Sequence, residues 1–519
     1  MSQDTIIVLG IPVDNLTMDE AISSIFSMVD DYAVDGRARQ VVTVNVDFVV
    51  NTLTWRLKNI RHPELLDILR RADLVTADGM PIVWTSKLLG RPLKERVTGA
   101  DLTPKLAEEA AKRQKSIFFL GGKGDVGQEA ADVLKLRYPD LKIAGVFSPF
   151  VYVEGEAIVS SEEEDSAIVE RVNGSGADIL LIGFGNPKQE VWFDRNRDKL
   201  KVPVSIGIGG TYEFIVGSVS RAPEWMQKTG LEWIFRITQD PKRLIKRYFV
   251  GLFKFGIMVW PSILYYRYRR FVHRLSYRGG RSEGERRLGQ EATFTGNITE
   301  IKFPERLDAS FLERSREKLE EQLESATPVV LDFKETRFID SSGLGYITKI
   351  WNRDATDGKA VYLAGVGPEL VRFFKLNRLW DLFSKRVFKD VEEVSQQLEE
   401  KNSLGPSSFV IERRIGYVAV SLFGRLDAPE IQRIDVDSIL TDIGGYDCIL
   451  DLDGLDFIDS SGIGFLIKIQ KYVSRYGKGC ILCKLSVNVR QMLRITKVMP
   501  LFQIEKDVAE AEKALKKLR

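Results

Sequence analysis

The amino-acid sequence predicts an α/β protein in three parts: a domain on a mostly parallel, helix-covered sheet, then two smaller α/β domains that resemble each other. Three observations predict it. The first half alternates apolar strand-like runs with amphipathic segments, as in Ser116 to Leu120, Gly127 to Tyr138 and Ile143 to Phe147, a pattern that suits parallel strands covered by helices. The second half repeats itself. Arg306-Leu307-Asp308-Ala309 returns 119 positions later as Arg425-Leu426-Asp427-Ala428, and Phe338-Ile339-Asp340-Ser341-Ser342-Gly343-Leu344-Gly345 returns at the same offset as Phe457-Ile458-Asp459-Ser460-Ser461-Gly462-Ile463-Gly464. Finally, 519 residues exceed one ordinary core and suggest about three domains at roughly 150 residues each.

Composition narrows the class. The chain is 44% hydrophobic, and Lys plus Arg number 75 against 73 for Asp plus Glu, so net charge points to no nucleic-acid partner. Cys448, Cys480 and Cys483 all lie in the last quarter, and no charged start, apolar stretch and cleavage site precede Ile6. The expectation is a reduced, cytoplasmic protein without a signal peptide. Cys480 and Cys483 would face opposite sides of a strand, and without a second pair for zinc they read as core residues.

The strand-like runs Val41 to Val44, Ala72 to Thr76 and Ala177 to Ile182 lead into Thr43-Val44-Asn45, Asp78-Gly79-Met80-Pro81 and Gly183-Phe184-Gly185-Asn186-Pro187-Lys188-Gln189-Glu190. Hydroxyl, amide and carboxylate groups would therefore gather at the carboxyl ends of parallel strands, where open α/β sheets bind ligands. Two glycine-rich turns add to this. Gly121-Gly122-Lys123-Gly124 after Ile117 to Leu120 opens a helix and offers amides to a diphosphate, or else serves tight packing. Gly209 and Gly210, in Gly207-Ile208-Gly209-Gly210-Thr211, let a ligand approach the backbone. The acidic run Glu162-Glu163-Glu164-Asp165 reads as a solvated helix start.

In this order, Thr43 with Asn45, Asp78 to Pro81, Arg96-Val97-Thr98-Gly99-Ala100-Asp101, Phe119 to Gly122, Asn186 to Glu190 and Gly209 to Thr211 resemble the WecG/TagA/CpsF family of bacterial glycosyltransferases over about residues 6 to 250. The resemblance implies a Rossmann-like transferase domain. It also implies inverting transfer of an N-acetylmannosamine-type sugar from a UDP donor to a polyprenyl-diphosphate-linked amino sugar, in surface polysaccharide biosynthesis. An inverting transfer needs a base for the acceptor hydroxyl, and Asp78, behind a buried strand, is the candidate; Asp-Gly is also a common turn pair, which leaves a structural reading open. Thr43, Asn45, Asn186 and Gln189 are expected to orient the sugar, with Glu190 capping the next helix as an alternative role. Arg96 is similar to an arginine the family places near the donor. No cofactor is expected. The first half has one histidine, His62, and no cysteine, so no metal is expected and the departing UDP falls to basic side chains and amides. The family places arginines for this in a C-terminal appendage, which here offers Arg236, Arg243 and Arg247, with Lys246 at one familiar arginine position.

The appendage runs into Tyr248 to Tyr266, apolar and aromatic with one charge, Lys254. From Arg236 to Arg287 there are 14 Lys and Arg against 3 Asp and Glu, on both flanks of that segment. This predicts an interfacial helix, or a re-entrant pair broken at Pro261, on anionic lipid at the cytoplasmic face, with a buried core helix as the alternative.

The two repeats resemble STAS domains, the small α/β fold of anti-sigma-factor antagonists, on the strength of Asp-Ser-Ser-Gly after a strand. The resemblance implies phosphorylation at Ser341 and Ser460, with Asp308 and Asp427 beside those sites; simple protein docking is the alternative, since Asp and Ser are good helix caps anyway. The domain expectation is 1–235 transferase, 236–277 basic aromatic appendage, 278–293 linker, 294–400 first STAS domain, 401–408 linker and 409–519 second STAS domain. Expected partners are the lipid-linked acceptor, the membrane surface, a protein or serine kinase at the STAS domains, and a second copy of the chain. The competing reading is a non-catalytic UDP-sugar-sensing scaffold that signals through the STAS pair.

Overall fold

The computed structural model describes residues 4–54, 60–149, 153–154, 157–158, 162–276, 293–295, 298–324, 328–357, 360–403, 409–414, 416–427, 431, 434–496 and 498–518. Most of the two predicted linkers, 278–292 and 404–408, lies outside the described residues. The larger domain runs β1 (Thr5–Val8), β2 (Ile11–Asp14), α1 (Met18–Asp35), β3 (Arg39–Val44), α2 (Val46–Thr52), α3 (Pro63–Arg71), β4 (Leu74–Ala77), α4 (Met80–Leu88), α5 (Gly99–Lys112), β5 (Ser116–Gly121), α6 (Val126–Arg137) and β6 (Lys142–Phe147). It continues through β7 (Val153–Glu154), β8 (Ala157–Ile158), α7 (Glu162–Gly174), β9 (Ile179–Gly183), α8 (Lys188–Asn196), β10 (Val204–Gly207), α9 (Thr211–Ile215), α10 (Glu224–Thr229), α11 (Glu232–Gln239) and α12 (Pro241–Ser276).

Short, almost wholly buried runs such as Val41 to Val44 and Ile179 to Ile182 can only pair inside a sheet covered on both faces. They do so in a six-stranded parallel sheet of order β4-β3-β10-β9-β5-β6. Helices cover both faces, with Ile25, Leu106 and Leu134 in one apolar cluster and Phe193 and Val172 in another. The acidic run predicted to be solvated is corrected at Asp165: it is buried, and its Oδ1 accepts the indole N–H of fully buried Trp192 at 3.0 Å. A buried indole needs a partner, and the helix start supplies it. Trp192→Phe is therefore expected to destabilise the protein by about 1–3 kcal/mol, from the lost hydrogen bond to a carboxylate and the space left by the smaller ring, measured by urea unfolding.

The first repeat contains β11 (Thr293–Thr295), β12 (Ile298–Lys302), β13 (Arg306–Leu307), α13 (Ala309–Glu324), β14 (Val329–Asp332), β15 (Phe338–Ile339), α14 (Ser341–Asp357), β16 (Val361–Ala364), α15 (Pro368–Leu376), α16 (Trp380–Phe383), β17 (Val387–Phe388) and α17 (Val391–Ser403). The second contains β18 (Phe409–Arg414), β19 (Tyr417–Leu426), α18 (Val436–Ile443), β20 (Asp447–Ile458), α19 (Ser460–Arg475), β21 (Cys480–Cys483), α20 (Val487–Ile495), β22 (Gln503–Glu505) and α21 (Val508–Leu518). Each builds a five-stranded sheet with one antiparallel edge pair and parallel strands beyond it. Cys448 and Cys483 are buried in the second.

The two repeats differ in what surrounds them. The chain divides into two compact units, residues 1–395 and 396–519, so the first repeat packs as one body with the larger domain. The β1-β2 hairpin is the joint. Ile6, Val8, Ile11 and Val13 enter the apolar cluster of the larger domain, while Ile7 enters that of the first repeat, as the period of two along a strand dictates. Gly345 on α14 meets the hairpin so closely that a Cβ there would lie 2.0 Å from the Thr5 carbonyl oxygen. Around it, Arg91 Nε donates to Ser342 Oγ (3.0 Å), buried Arg70 pairs with Asp381 (3.1 Å), and Arg378 donates to the Thr54 carbonyl (2.9 Å).

The appendage is one helix, α12, of 36 residues, about 54 Å at 1.5 Å per residue. This corrects the re-entrant pair. Pro261 stays inside the helix, and it and Ile257, whose carbonyl loses its donor, are both exposed residues, so the chain has no need to break there. Leu244–Val272 is long and apolar enough to cross a membrane, yet one face is committed to protein: Phe255, Met258, Val259, Ile263 and Tyr266 are buried. Tyr265 stacks on Phe373 and Ser262 Oγ donates to the Leu376 carbonyl. The opposite face carries Phe249, Phe253, Ile257, Trp260, Leu264, Tyr268 and Phe271, all exposed and three or four residues apart.

Candidate functional site

Asp78 follows the last residue of β4, and its backbone N–H donates to the Val44 carbonyl at 2.8 Å, which ties it to the end of β3. Asn45 stands beside it: a Cβ on Gly79 would lie 3.7 Å from the Asn45 Cβ. Asn45 Oδ1 caps α2 by accepting from Asp47 N (3.0 Å) and Phe48 N (3.3 Å), which leaves its Nδ2 donors for a ligand. Thr43 is buried, and its hydroxyl donates to the Gly207 carbonyl at 3.2 Å. It joins the ends of β3 and β10.

Charge around Asp78 is arranged in alternation. Arg96 pairs with Glu232 at 2.9 Å, and the same carboxylate receives Arg236 at 3.0 Å. Arg96 also lies 3.8 Å from Asp101, which Arg221 grips. Burial pushes the Asp78 carboxyl up to about 7; Arg236 and Arg96 pull the other way, while Glu232 and Asp101 add to the rise. A carboxylate that ionises near neutrality, at the end of a parallel strand, suits proton abstraction. Arg247 bonds Asp47 through Nε at 3.1 Å and so brings α12 onto the start of α2, next to Asn45. Arg243 lies on α12, and its side chain is outside the described ones.

Glu232, Asp101 and Arg221 were not singled out from sequence as site residues. Glu232 had a signal, since it precedes Arg236 by four residues and such pairs face each other on a helix. Nothing along the chain showed that the same carboxylate would also reach Arg96, 136 residues away.

Gln189 has an architectural place. It is buried; Oε1 accepts from Gly185 N (3.1 Å) and Gly209 N (3.0 Å), and Nε2 donates to Glu190 Oε1 (2.7 Å). It joins the loops after β9 and β10. Asn186 donates to Glu190 Oε2 and accepts from Asn51, both at 3.3 Å. Glu190 does not cap α8 from outside: it is fully buried, and burial pushes its carboxyl up to about 7 against the Gln189 and Asn186 bonds.

The glycine turns divide by their surroundings. Gly121 and Gly122 both have φ of +92°, and a Cβ would meet Phe184 at 2.9 Å on the first and Gly127 N at 3.0 Å on the second, which is the packing reading of that turn. Gly209, with φ of +57°, has nothing within 4 Å, and Gly210 meets only Glu213 at 3.4 Å. Backbone is open to a ligand at this second turn. Among the described residues no three His, Cys, Asp or Glu gather as metal ligands.

In both repeats the motif aspartate caps the following helix. Asp340 Oδ1 accepts from Gly343 N (2.9 Å), and Asp459 Oδ1 from Ser461 N (2.8 Å) and Gly462 N (2.9 Å). Asp308 and Asp427 each pair with the arginine two residues earlier, Arg306 and Arg425. Ser341 is buried with no hydrogen-bond partner for its hydroxyl, whereas Ser460 is exposed.

Two curated proteins named N-acetylglucosaminyldiphosphoundecaprenol N-acetyl-beta-D-mannosaminyltransferase are similar to the first half. The one from Staphylococcus aureus (strain MRSA252) is 28% identical over 250 residues, 48% of this chain and 91% of that protein. The one from Bacillus spizizenii (strain ATCC 23059 / NRRL B-14472 / W23) is 26% identical over 234 residues, 45% and 84%. Among solved structures, an anti-sigma-factor antagonist (STAS) domain protein from Planctomyces limnophilus is 23% identical with a TM-score of 0.20, covering 21% of this chain and 96% of that one. Residues 290–394 and 410–511 match the STAS domain. Residues 6–269, just over half of the chain, match the glycosyl transferase WecG/TagA/CpsF family, and to that family the chain belongs.

Proposed function

We propose that the chain transfers an N-acetylmannosaminyl group, with inversion, from UDP to the sugar hydroxyl of a polyprenyl-diphosphate-linked N-acetylglucosamine. The observation that carries this reading is Asp78, a carboxylate ionising at about 7 among paired arginines at the end of β4. Asp78 takes the proton of the acceptor hydroxyl as its oxygen attacks the anomeric carbon. The bond from that carbon to the UDP oxygen breaks on the opposite face, and the departing diphosphate is met by Arg236, Arg243 and Arg247 with no metal required. Asn45 orients the sugar, and the open turn at Gly209 and Gly210 admits the donor. UDP release should depend on both the UDP-N-acetylmannosamine donor and the lipid-diphosphate acceptor. Absence of release with any N-acetyl UDP-sugar would return the chain to a sensing role.

The acceptor's lipid requires a membrane surface, and α12 is suited to lie along one. Its exposed aromatic stripe is joined by exposed Lys246, Lys254, Arg267 and Arg270, which favours anionic headgroups beside a shallowly buried apolar face. Replacing Phe253 and Trp260 by Ser should weaken binding to anionic vesicles by about 10²–10⁴-fold, since each buried side chain is worth about 1.5–3 kcal/mol. Vesicle co-sedimentation measures it.

A further inference from the structure

The segment Arg96 to Asp101 is anchored to β4, the edge strand that precedes Asp78. Val97 N donates to the Ala77 carbonyl at 3.0 Å, the Thr76 hydroxyl donates to the Val97 carbonyl at 3.1 Å, and Thr98 Oγ1 donates to Asp101 Oδ2 at 2.8 Å. It is the fixed half of a seam. The other half is the α10–α11 arm that leads into α12, with Arg221 just ahead of α10 and Glu232 opening α11.

Charges cross this seam in both directions. Arg96 pairs with Glu232 of the arm at 2.9 Å, and Arg221 of the arm donates through Nη2 to Asp101 at 3.3 Å. Each half supplies one arginine and one carboxylate, so the charges cancel across the seam. Apolar packing lies alongside: Gly230, between α10 and α11, meets Met80 so closely that a Cβ would be 2.5 Å from its Cγ. Glu232 has a further task. Its side chain is only 9% exposed; one oxygen takes Arg96 and the other takes Arg236 at 3.0 Å, whose guanidinium lies 4.7 Å over the Phe214 ring. Phe214 belongs to α9, the helix that follows the open turn at Gly209 and Gly210. One buried carboxylate thus joins an arginine of the fixed half to an arginine of the arm, against the helix that the open turn starts.

We propose that Glu232 is a positioning residue for the donor's diphosphate: it holds Arg96 and Arg236 together, and the Arg221–Asp101 pair closes the same seam, so that the arm delivers Arg236 to the phosphates. Neither Glu232 nor Arg221 touches substrate. The effect on UDP rests on the transferase reading above, and the effect on the arm rests on the bonds of the seam alone. The sign of one change separates this role from a bystander's. UDP is an anion, so removing a nearby carboxylate would by charge alone tighten its binding. Removing the residue that places two arginines weakens it.

The test uses the full chain with Glu232→Gln, Arg221→Met, Arg236→Met and the double variant Glu232→Gln/Arg236→Met. UDP affinity, measured by calorimetry, should fall about tenfold in Glu232→Gln, and by less than about threefold when the same change is made on Arg236→Met, as for residues that share one network. Amide exchange followed by mass spectrometry should show α11 exchanging about tenfold faster in both Glu232→Gln and Arg221→Met, with β9 unchanged. Arg221→Met carries both readouts should Glu232→Gln not fold. UDP affinity that rises or stays level in Glu232→Gln overturns the proposal, as do losses that simply add in the double variant or unchanged α11 exchange in Arg221→Met. Should the wild-type chain bind no UDP, the transferase reading fails, while exchange still decides whether Glu232 and Arg221 hold the arm.

Discussion

Asp78→Asn is expected to lower acceptor-dependent UDP release about a thousandfold while leaving the fold intact, because a positioned base is worth about 10²–10⁴ in rate. Asparagine keeps the shape and cannot take a proton. The pH profile carries a second, independent signature. The base works deprotonated, so kcat/KM of the wild type should be low under acidic conditions, rise through about 7 where Asp78 ionises, and level off above it. In Asp78→Asn that acid limb should vanish from the residual rate. A wild-type profile flat through neutrality would assign proton removal to another group. An Asp78→Asn variant as active as wild type would end the base assignment.

Gly345→Ala and Gly464→Ala make a matched pair with opposite expected signs. Both glycines close the same eight-residue motif, at the same place on a helix. A methyl on Gly345 would lie 2.0 Å from the Thr5 carbonyl oxygen, whereas Gly464 has nothing within 4 Å. The obstacle at Gly345 is backbone, so the helix and the hairpin must separate. Gly345→Ala should loosen the first STAS domain from the transferase domain at a cost of at least about 1–3 kcal/mol, the range for overpacking. Gly464→Ala should instead stabilise the second domain by up to about 1 kcal/mol through helix propensity. Denaturant unfolding and limited proteolysis read both. Equal responses in the two variants would show that the hairpin does not use the signature face.

Much of the fold was legible because its signals are local. The run Ser116 to Leu120 lies inside β5, and Gly127 to Tyr138 marks α6 within a residue at each end. The 119-residue repeat announced two copies of one domain, and both appear with the same sheet. Asp78, Arg96 and Arg236 could be chosen from motif and resemblance, and they do converge.

The misses share a physical cause. Asp165 looked solvated because its neighbours are acidic, yet the indole of Trp192 waits 27 positions on for a buried acceptor. Pro261 looked like a break, but it and Ile257, whose carbonyl it frees, are both exposed, and the helix runs on. Glu190 could be taken for a cap, yet it is fully buried and bonded to Gln189, which ties two loops together.

The sequence by itself determined that there would be a parallel sheet with a polar crevice at its carboxyl edge, a long basic aromatic helix, and two STAS domains. Periodicity and repetition record which side of each element is apolar, and burial of apolar surface does the rest. Only the tertiary structure decided that one of two near-identical signature faces is closed by the β1-β2 hairpin, that Glu232 brings the distant Arg96 to its own helix neighbour Arg236 beside Asp78, and that α12 keeps one side on protein. Those outcomes depend on which surfaces meet. Two copies of Asp-Ser-Ser-Gly read alike until the packing around Gly345 and Gly464 tells them apart.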